Sequence, residues 1–106
     1  MTDALIVFCT CAHQAEAAEL ARSLVSEGVA ACINILPAIE SVYRWEGKIE
    51  TSQEVLLFIK TTRALFPALR DSIVRLHTYD TPEVMAVPVT DGCAKYLAWL
   101  GATIAT

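Results

Sequence analysis

The chain has 106 residues, of which 12 are acidic and 8 are Lys or Arg, so its formal net charge is −4 at pH 7. Because 55% of the residues are hydrophobic and only 19% are charged, the composition excludes a disordered or fibrous chain and predicts one domain, residues 1–106. The acidic balance argues against a nucleic-acid partner, because a phosphate-backbone binder needs clustered Lys and Arg.

The hydrophobic pattern predicts strands where short apolar runs of branched and aromatic residues occur, and helices where apolar residues recur at helical spacing. In chain order these elements are a strand, a helix, two strands of a long hairpin, a helix, a strand and a helix, over residues 4–10, 14–27, 29–45, 49–61, 65–77, 83–89 and 94–104. Gly28 lies where the first helix should end, and Pro37 marks an edge or a bend in the hairpin. Pro67 fits only the first turn of the second helix, and Pro88 suggests that the last strand is an edge strand.

This order of elements predicts an α+β fold of the ferredoxin-like type, βαββαβ with an added C-terminal helix. Strands with one solvent-exposed face alternate apolar and polar residues. The apolar runs at residues 5–9, 55–59 and 84–87 do not alternate in this way. Both faces of the sheet must therefore be covered, but the two long helices cover only one, and the final helix is too short for the other. We expect further copies of the chain to cover it, in a homo-oligomer built on the sheet face and the long hairpin.

Cysteine residues in the first predicted strand are candidate metal ligands. Cys9 and Cys11 are two positions apart on a strand, so both thiols point to the same side and can bind one soft cation, to which His13 could add a nitrogen. The competing interpretation is packing, because buried cysteine behaves as a small hydrophobe and no second Cys/His pair has zinc-site spacing. All four cysteines, which include Cys32 and Cys93, lie in apolar or strand-like segments, as expected for reduced thiols in a cytosol.

A second group of polar side chains follows the second long helix. His77, Tyr79 and Glu83 gather donors and acceptors at the entrance to the last strand, where a cation or a small ligand could bind. The competing interpretation of His77 is structural, because the helix dipole alone favours a histidine at a helix C-terminus by about 0.3–1 kcal/mol.

The hairpin carries a third group of candidates. Tyr43 and Trp45 share one face of a strand, where aromatic residues more often anchor an interface or a core. Lys60 ends an apolar run, and its ammonium needs a counter-charge or solvent. A pocket between subunits, formed by these three residues and the group that follows the second helix, would explain that placement.

Enzyme signatures are absent from the sequence, which has no Gly-rich phosphate loop, no nucleophile elbow and no metalloprotease helix. Residues 9–14 contain neither Gly nor Arg, which disfavours an acylphosphatase. The acidic N-terminal residues do not resemble a secretory signal, and the apolar runs are too short to span a membrane. The sequence therefore predicts a non-enzymatic protein without a membrane partner.

Five segments, in their order and spacing, resemble the CutA divalent-ion tolerance family: residues 9–10 (CT), 27–37 (EGVAACINILP), 41–50 (SVYRWEGKIE), 54–61 (EVLLFIKT) and 77–89 (HTYDTPEVMAVPV). The resemblance covers nearly the whole chain. It implies a cytoplasmic homotrimer of ferredoxin-like subunits, similar to PII-type signalling proteins. It also implies tolerance of copper and other divalent ions, with Cu(II) or a similar divalent cation as the bound ion.

The resemblance also implies which residues bind the metal. The proposed ligands of the family, carried over to this chain, are Cys9 and His77, whereas Leu76 replaces the first histidine of a His-His pair. We expect Cys9 and His77 to lie more than ~10 Å apart in one subunit, because the second helix is predicted to run antiparallel to the first strand. They would then share an ion only across a subunit boundary, or belong to separate weak sites. The alternative function is a PII-like module that senses a small molecule or anion in a pocket between subunits.

Overall fold

The computed structural model describes residues 2–104, which form a four-stranded antiparallel sheet and three helices. In chain order the elements are β1 (Ala4–Cys11), α1 (Gln14–Ser26), β2 (Cys32–Trp45), β3 (Lys48–Thr62), α2 (Phe66–Leu76), β4 (Met85–Pro88) and α3 (Ala94–Ile104). The strand order β2-β3-β1-β4 confirms the predicted ferredoxin-like fold with its long β2–β3 hairpin. Among these described residues, no helix has the length and apolar character needed to cross a membrane.

Two strands are shorter than predicted, whereas the ends of the other elements lie within one residue of the prediction. β2 begins at Cys32 rather than at Val29. The Val29 N–H donates to the Leu24 carbonyl of α1, and only from Ala31, whose N–H donates to the Lys60 carbonyl, does the chain approach β3. β4 spans only Met85–Pro88, although the Val89 N–H still donates a hydrogen bond of 3.1 Å to the Ala4 carbonyl of β1. β4 pairs only with β1, so the prediction of an edge strand is confirmed.

The predicted turns coincide with unusual backbone conformations. Gly28 follows α1 with φ of +77°, and Gly47 lies in the hairpin turn with φ of +79°, a region that favours glycine. The pairing of β2 with β3 shifts register directly after Leu36. The shift lies at Pro37, and the next residue, Ala38, has φ of +59°, so the bend predicted from the proline is confirmed.

The hydrophobic core lies between one face of the sheet and helices α1 and α2. Alternate residues of β3, including Leu57 and Ile59, are fully buried on this face. Leu24 of α1 and Ile73 of α2 are also fully buried in the same cluster. The side chains of β1 that share this face are therefore held in a packed apolar layer.

The opposite face of the sheet is apolar but incompletely covered. α3 packs over only one end of it, in a small cluster that includes Ala4, Leu100 and Ile104. The remaining part, here called the open face, consists of half-buried and exposed apolar side chains on three strands: Ile6, Phe8, Leu56, Phe58, Met85 and Val87. The expectation that α3 leaves this face uncovered within one chain is confirmed.

A buried hydroxyl joins the core to the segment that precedes β2. The Thr61 hydroxyl donates a hydrogen bond of 2.8 Å to the Val29 carbonyl, and both residues are buried. Thr61→Val would leave that carbonyl without its partner, so we expect the free energy of unfolding to fall by about 1–3 kcal/mol in urea denaturation. Thr62→Val, at the adjacent half-buried position, is the control and should change it by less than about 0.5 kcal/mol. Equal effects of the two substitutions would contradict the prediction.

Candidate metal site

Two thiols of β1 point into the core layer. Cys9 and Cys11 occupy alternate positions of the strand, and their side chains are 0% and 2% exposed. Each faces a buried residue of β3 across the ladder, Cys9 opposite Leu57 and Cys11 opposite Val55. The strand thus presents both sulfur atoms on the side that the helices cover, as the two-residue spacing predicts.

His77 reaches the same place from the end of α2. Its backbone is extended, with φ of −73° and ψ of 148°, so the residue lies just beyond the helix. The ring accepts a hydrogen bond of 3.0 Å from the Tyr79 N–H at Nδ1. A neutral ring that accepts at Nδ1 carries its proton on Nε2, and Nε2 lies 2.7 Å from the Thr10 carbonyl oxygen, to which it can donate. The Tyr79 ring, centred 4.7 Å from the imidazole, packs against it.

The three residues form one group, here called the thiol–imidazole cluster (Cys9, Cys11 and His77). Their ligand atoms all lie within 4.8 Å of one another, and Cys11 Sγ lies 3.8 Å from His77 Nε2. The expectation that Cys9 and His77 are more than ~10 Å apart is therefore wrong. β3 is antiparallel to β1, and α2, which follows β3, reverses direction again. α2 therefore runs parallel to β1, and the C-terminal ends of both elements lie at the same end of the sheet.

The donor set of this cluster suits a transition metal. Bond lengths of ~2.3 Å to sulfur and ~2.0 Å to nitrogen place neighbouring ligand atoms ~3.5–4.0 Å apart in three- or four-coordinate sites. The observed distances of 3.8 Å and at most 4.8 Å require only small side-chain movements to reach that geometry. Thiolate and imidazole together are ligands of copper and zinc rather than of magnesium or calcium.

The two thiols differ in their acidity. The neighbouring Cys11 thiol and burial both raise the pKa of Cys9 well above its usual range. A hydrogen bond from Cys9 lowers the pKa of Cys11, against the effect of burial. Cys11 is therefore the thiol of the pair that ionises more readily.

A small hollow leads to the cluster from the surface. Its volume is about 20 Å³, and its walls are formed by Cys11, Glu16, Leu20, Leu76, His77 and Thr78. A space of this size holds about one water molecule. Leu76, at the position where the family resemblance implies a histidine, is thus a wall of the hollow beside the cluster.

The other histidine does not join the cluster. His13 is exposed at the N-terminal end of α1, where its backbone carbonyl accepts a hydrogen bond of 3.0 Å from the Ala17 N–H. Position 13 lies past the end of β1, so the two-residue period that aligns the thiols no longer applies. The interpretation of His13 as an added ligand is wrong for this structure.

Four of the candidate pocket residues do lie together. Tyr43, Trp45, Tyr79 and Glu83 line an open groove of about 700 Å³ between the hairpin and the segment that follows α2. The Tyr79 hydroxyl donates a hydrogen bond of 2.7 Å to the carboxylate of Glu54, which also lines the groove. Burial and this hydrogen bond raise the pKa of Tyr79. The Tyr79–Glu54 pair was not predicted, because no local pattern relates positions 25 apart in sequence.

Lys60 lies outside this groove of the single chain, and the predicted pocket between subunits that includes Lys60 stays a prediction. It pairs with Ile6 of β1 and Cys32 of β2 in the ladder. Lys60 follows Glu54 by six residues on β3, a distance of ~20 Å along an extended strand. His77 likewise is not among the residues that line the groove.

Comparison with known proteins agrees with both the fold and the motifs. The sequence profile described as "CutA1 divalent ion tolerance protein" matches residues 5–103. The chain belongs to the CutA1 divalent ion tolerance family. The crystal structure of CutA from Xylella fastidiosa has a TM-score of 0.95 to this CutA chain at 42% identity, and the match covers 97% of this chain and 99% of that one.

Relatives with a curated description carry the same family name. The chain is 42% identical over 95 residues to the divalent-cation tolerance protein CutA of Thermus thermophilus, covering 90% of this chain and 92% of that protein. It is 47% identical over 96 residues to the chloroplastic CutA of Arabidopsis thaliana, covering 91% of this chain and 53% of that protein. This CutA chain thus spans about half the length of several curated relatives that it matches.

Proposed function

We propose that this CutA family member contributes to divalent-cation tolerance by binding copper, as Cu(II), or a similar divalent ion, without catalysing a reaction. The supporting observation is the convergence of Cys9 and His77, which are far apart in sequence, with their ligand atoms within 4.8 Å of each other and of the Cys11 sulfur. Cys9 and His77 are the ligands we assign, with the copper ion as cargo rather than as a cofactor for chemistry.

The surroundings of the cluster support ion binding over catalysis. The hollow of about 20 Å³ beside the cluster admits an ion or a water molecule. Small-molecule sites are usually some ~300–1,000 Å³ in volume, so an organic substrate could not reach the thiols. That restriction supports the proposed non-enzymatic role.

The open face supports a homotrimer as the working assembly. Contiguous apolar patches on a sheet mark interaction surfaces, and a symmetric set of identical chains can cover them. The number three comes from the family resemblance. We further propose a cytoplasmic location for this chain, supported by the four unpaired cysteines, since free thiols persist in reducing compartments.

The PII-like alternative has weaker support. The groove on the hairpin carries carboxylates of Glu54, Asp80 and Glu83, and no Lys or Arg lines it. Such a lining repels anions such as nucleotides and phosphate. Because Lys60 lies elsewhere, sensing of an anion is not the function that this surface favours.

Equilibrium dialysis of the reduced chain without dioxygen tests the metal-binding proposal. We expect one Cu(II) or Zn(II) ion per chain, and at least about tenfold weaker binding in Cys9→Ser and in His77→Ala. His13→Ala is the matched control, because it removes the histidine that lies outside the cluster, and its affinity should be unchanged. Circular dichroism verifies that each variant is folded. Unchanged affinity in both folded cluster variants would overturn the assignment.

A further inference from the structure

The cluster contains one thiol more than the family resemblance implies. Of the implied ligands, Cys9 and His77 are present, whereas Leu76 takes the place of one histidine. Cys11, which no part of the resemblance assigns, lies with its sulfur 3.8 Å from His77 Nε2. The site of this chain therefore offers two sulfur atoms and one nitrogen.

We propose that Cys11 is the second thiolate ligand, and that the site consequently selects a soft monovalent cation, Cu(I), over divalent ions. This inference rests on the proposed metal-binding role of the same cluster, and it replaces the divalent ion of that proposal with Cu(I) as the ion that the site prefers. Sulfur ligands are soft, and paired thiolates favour Cu(I) over harder divalent cations.

The hydrogen bonds of the His77 ring occupy both of its nitrogen atoms, so the imidazole is not free to bind an ion without rearrangement. Nδ1 accepts from the Tyr79 N–H, and Nε2 lies 2.7 Å from the Thr10 carbonyl that it can donate to. To bind a metal through Nε2, the ring must release that proton and its contact with Thr10. The two thiols make only longer sulfur contacts, Cys9 Sγ to the Thr10 carbonyl and Cys11 Sγ to His77 Nε2, each at 3.8 Å, so the thiols are the ligands available first.

Coordination number then distinguishes the candidate ions. Zn(II) in protein sites is almost always four-coordinate, whereas Cu(I) is satisfied by two or three soft ligands. Within the described residues, the cluster supplies two sulfur atoms and, after rearrangement, one imidazole nitrogen. A full tetrahedral shell of protein ligands is therefore not available, which favours the ion of lower coordination number.

The hollow explains how Cys11 can replace the missing imidazole. Leu76 and Cys11 both line this space. The Cys11 sulfur therefore lies next to the position where the family resemblance implies a histidine. Leu76 also makes its wall apolar, which removes a borderline ligand that suits divalent copper. Compared with the ligand set that the family resemblance implies, this location offers a sulfur atom in place of a nitrogen atom.

Competition with a chromophoric Cu(I) chelator, on the reduced chain without dioxygen, measures the affinity directly. We expect Cys11→Ser to weaken Cu(I) binding by about 100-fold or more, and Cys11→Ala to do the same, since both remove the sulfur with little change in volume. Zn(II) affinity of the same variants should fall by less than about tenfold. Cys93→Ser is the matched control, because Cys93 is an exposed thiol outside the cluster, and it should retain the wild-type Cu(I) affinity.

A second variant tests the ion preference without disturbing the core. Leu76 is 37% exposed, so Leu76→His restores an imidazole at the hollow at little cost in packing. Combined with Cys11→Ala, it should raise Cu(II) affinity relative to Cys11→Ala alone while Cu(I) affinity stays low. Recovery of Cu(I) affinity in that double variant would overturn the assigned role of Cys11.

The outcomes separate this inference from the proposed function. If Cys11→Ser keeps Cu(I) affinity within about threefold while Cys9→Ser loses it, the second thiolate is refuted and metal binding at the cluster stands. The inference is also overturned if the wild-type chain prefers Zn(II) to Cu(I). If neither Cys9→Ser nor His77→Ala changes the affinity for any of these ions, the proposed function fails as well.

Discussion

Replacement of Leu57 by Ala should lower the free energy of unfolding by about 2–5 kcal/mol. Leu57 is fully buried in β3, with Cys9 of β1 and Ile35 of β2 as its ladder partners. Helices α1 and α2 cover this layer, so the surrounding side chains can fill only part of the cavity that the truncation leaves. Urea denaturation of the reduced, metal-free chain measures the change.

An exposed position provides the control for this substitution. Val74, on the outer side of α2, is 56% exposed, and Val74→Ala should change the free energy of unfolding by less than about 0.5 kcal/mol. A loss in Leu57→Ala no greater than the loss in Val74→Ala would mean that this layer is not the core. Because Leu57 faces Cys9, we also expect the truncation to loosen the support of the thiol–imidazole cluster.

Phe58→Glu should prevent the proposed oligomer from forming, so that the variant is a monomer in sedimentation-velocity experiments at micromolar concentration. Phe58 lies in the middle of the open face, where its ring meets that of Phe8 edge-to-face with centroids 5.2 Å apart. An interface that covers this pair would have to bury an unpaired carboxylate, at a cost of several kcal/mol per chain. In a trimer that cost is incurred in every subunit.

The control for assembly places the same charge on another surface. Val74→Glu adds a carboxylate to the exposed side of α2, across the core from the open face, and should sediment like the wild type. A wild-type chain that is monomeric at this concentration would contradict the proposed assembly. An oligomeric Phe58→Glu chain would show that copies associate through a different surface.

Periodicity alone predicted much of the architecture. The bounds of α3 agree with the structure, and Pro37 lies at the register shift of the hairpin, because these features depend on residues that are close in sequence. The common side of Cys9 and Cys11 also follows from the two-residue period of a strand. Such features are determined locally, so the sequence contains them directly.

The relation between β1 and α2 was predicted incorrectly. Position along the chain does not by itself give the direction of an element, which depends on how many strands precede it and how they pair. Since β3 is antiparallel to β1, the helix after β3 brings His77 to the end of β1 that carries Cys11. The composition of the groove also depends on the direction of the strands. Tyr79 contacts Glu54 there, whereas Lys60 lies further along β3 and outside the groove.

The sequence by itself determined the ferredoxin-like order of elements, the family and an apolar second sheet face, because each depends on residue type and local spacing. Only the tertiary structure decided that two thiols and one imidazole meet at a single point, and which hydrogen bonds hold that imidazole. The physical reason is that a metal site requires side chains from distant segments to lie within a few ångströms. That proximity is set by the pairing and direction of strands and helices, which no local pattern specifies.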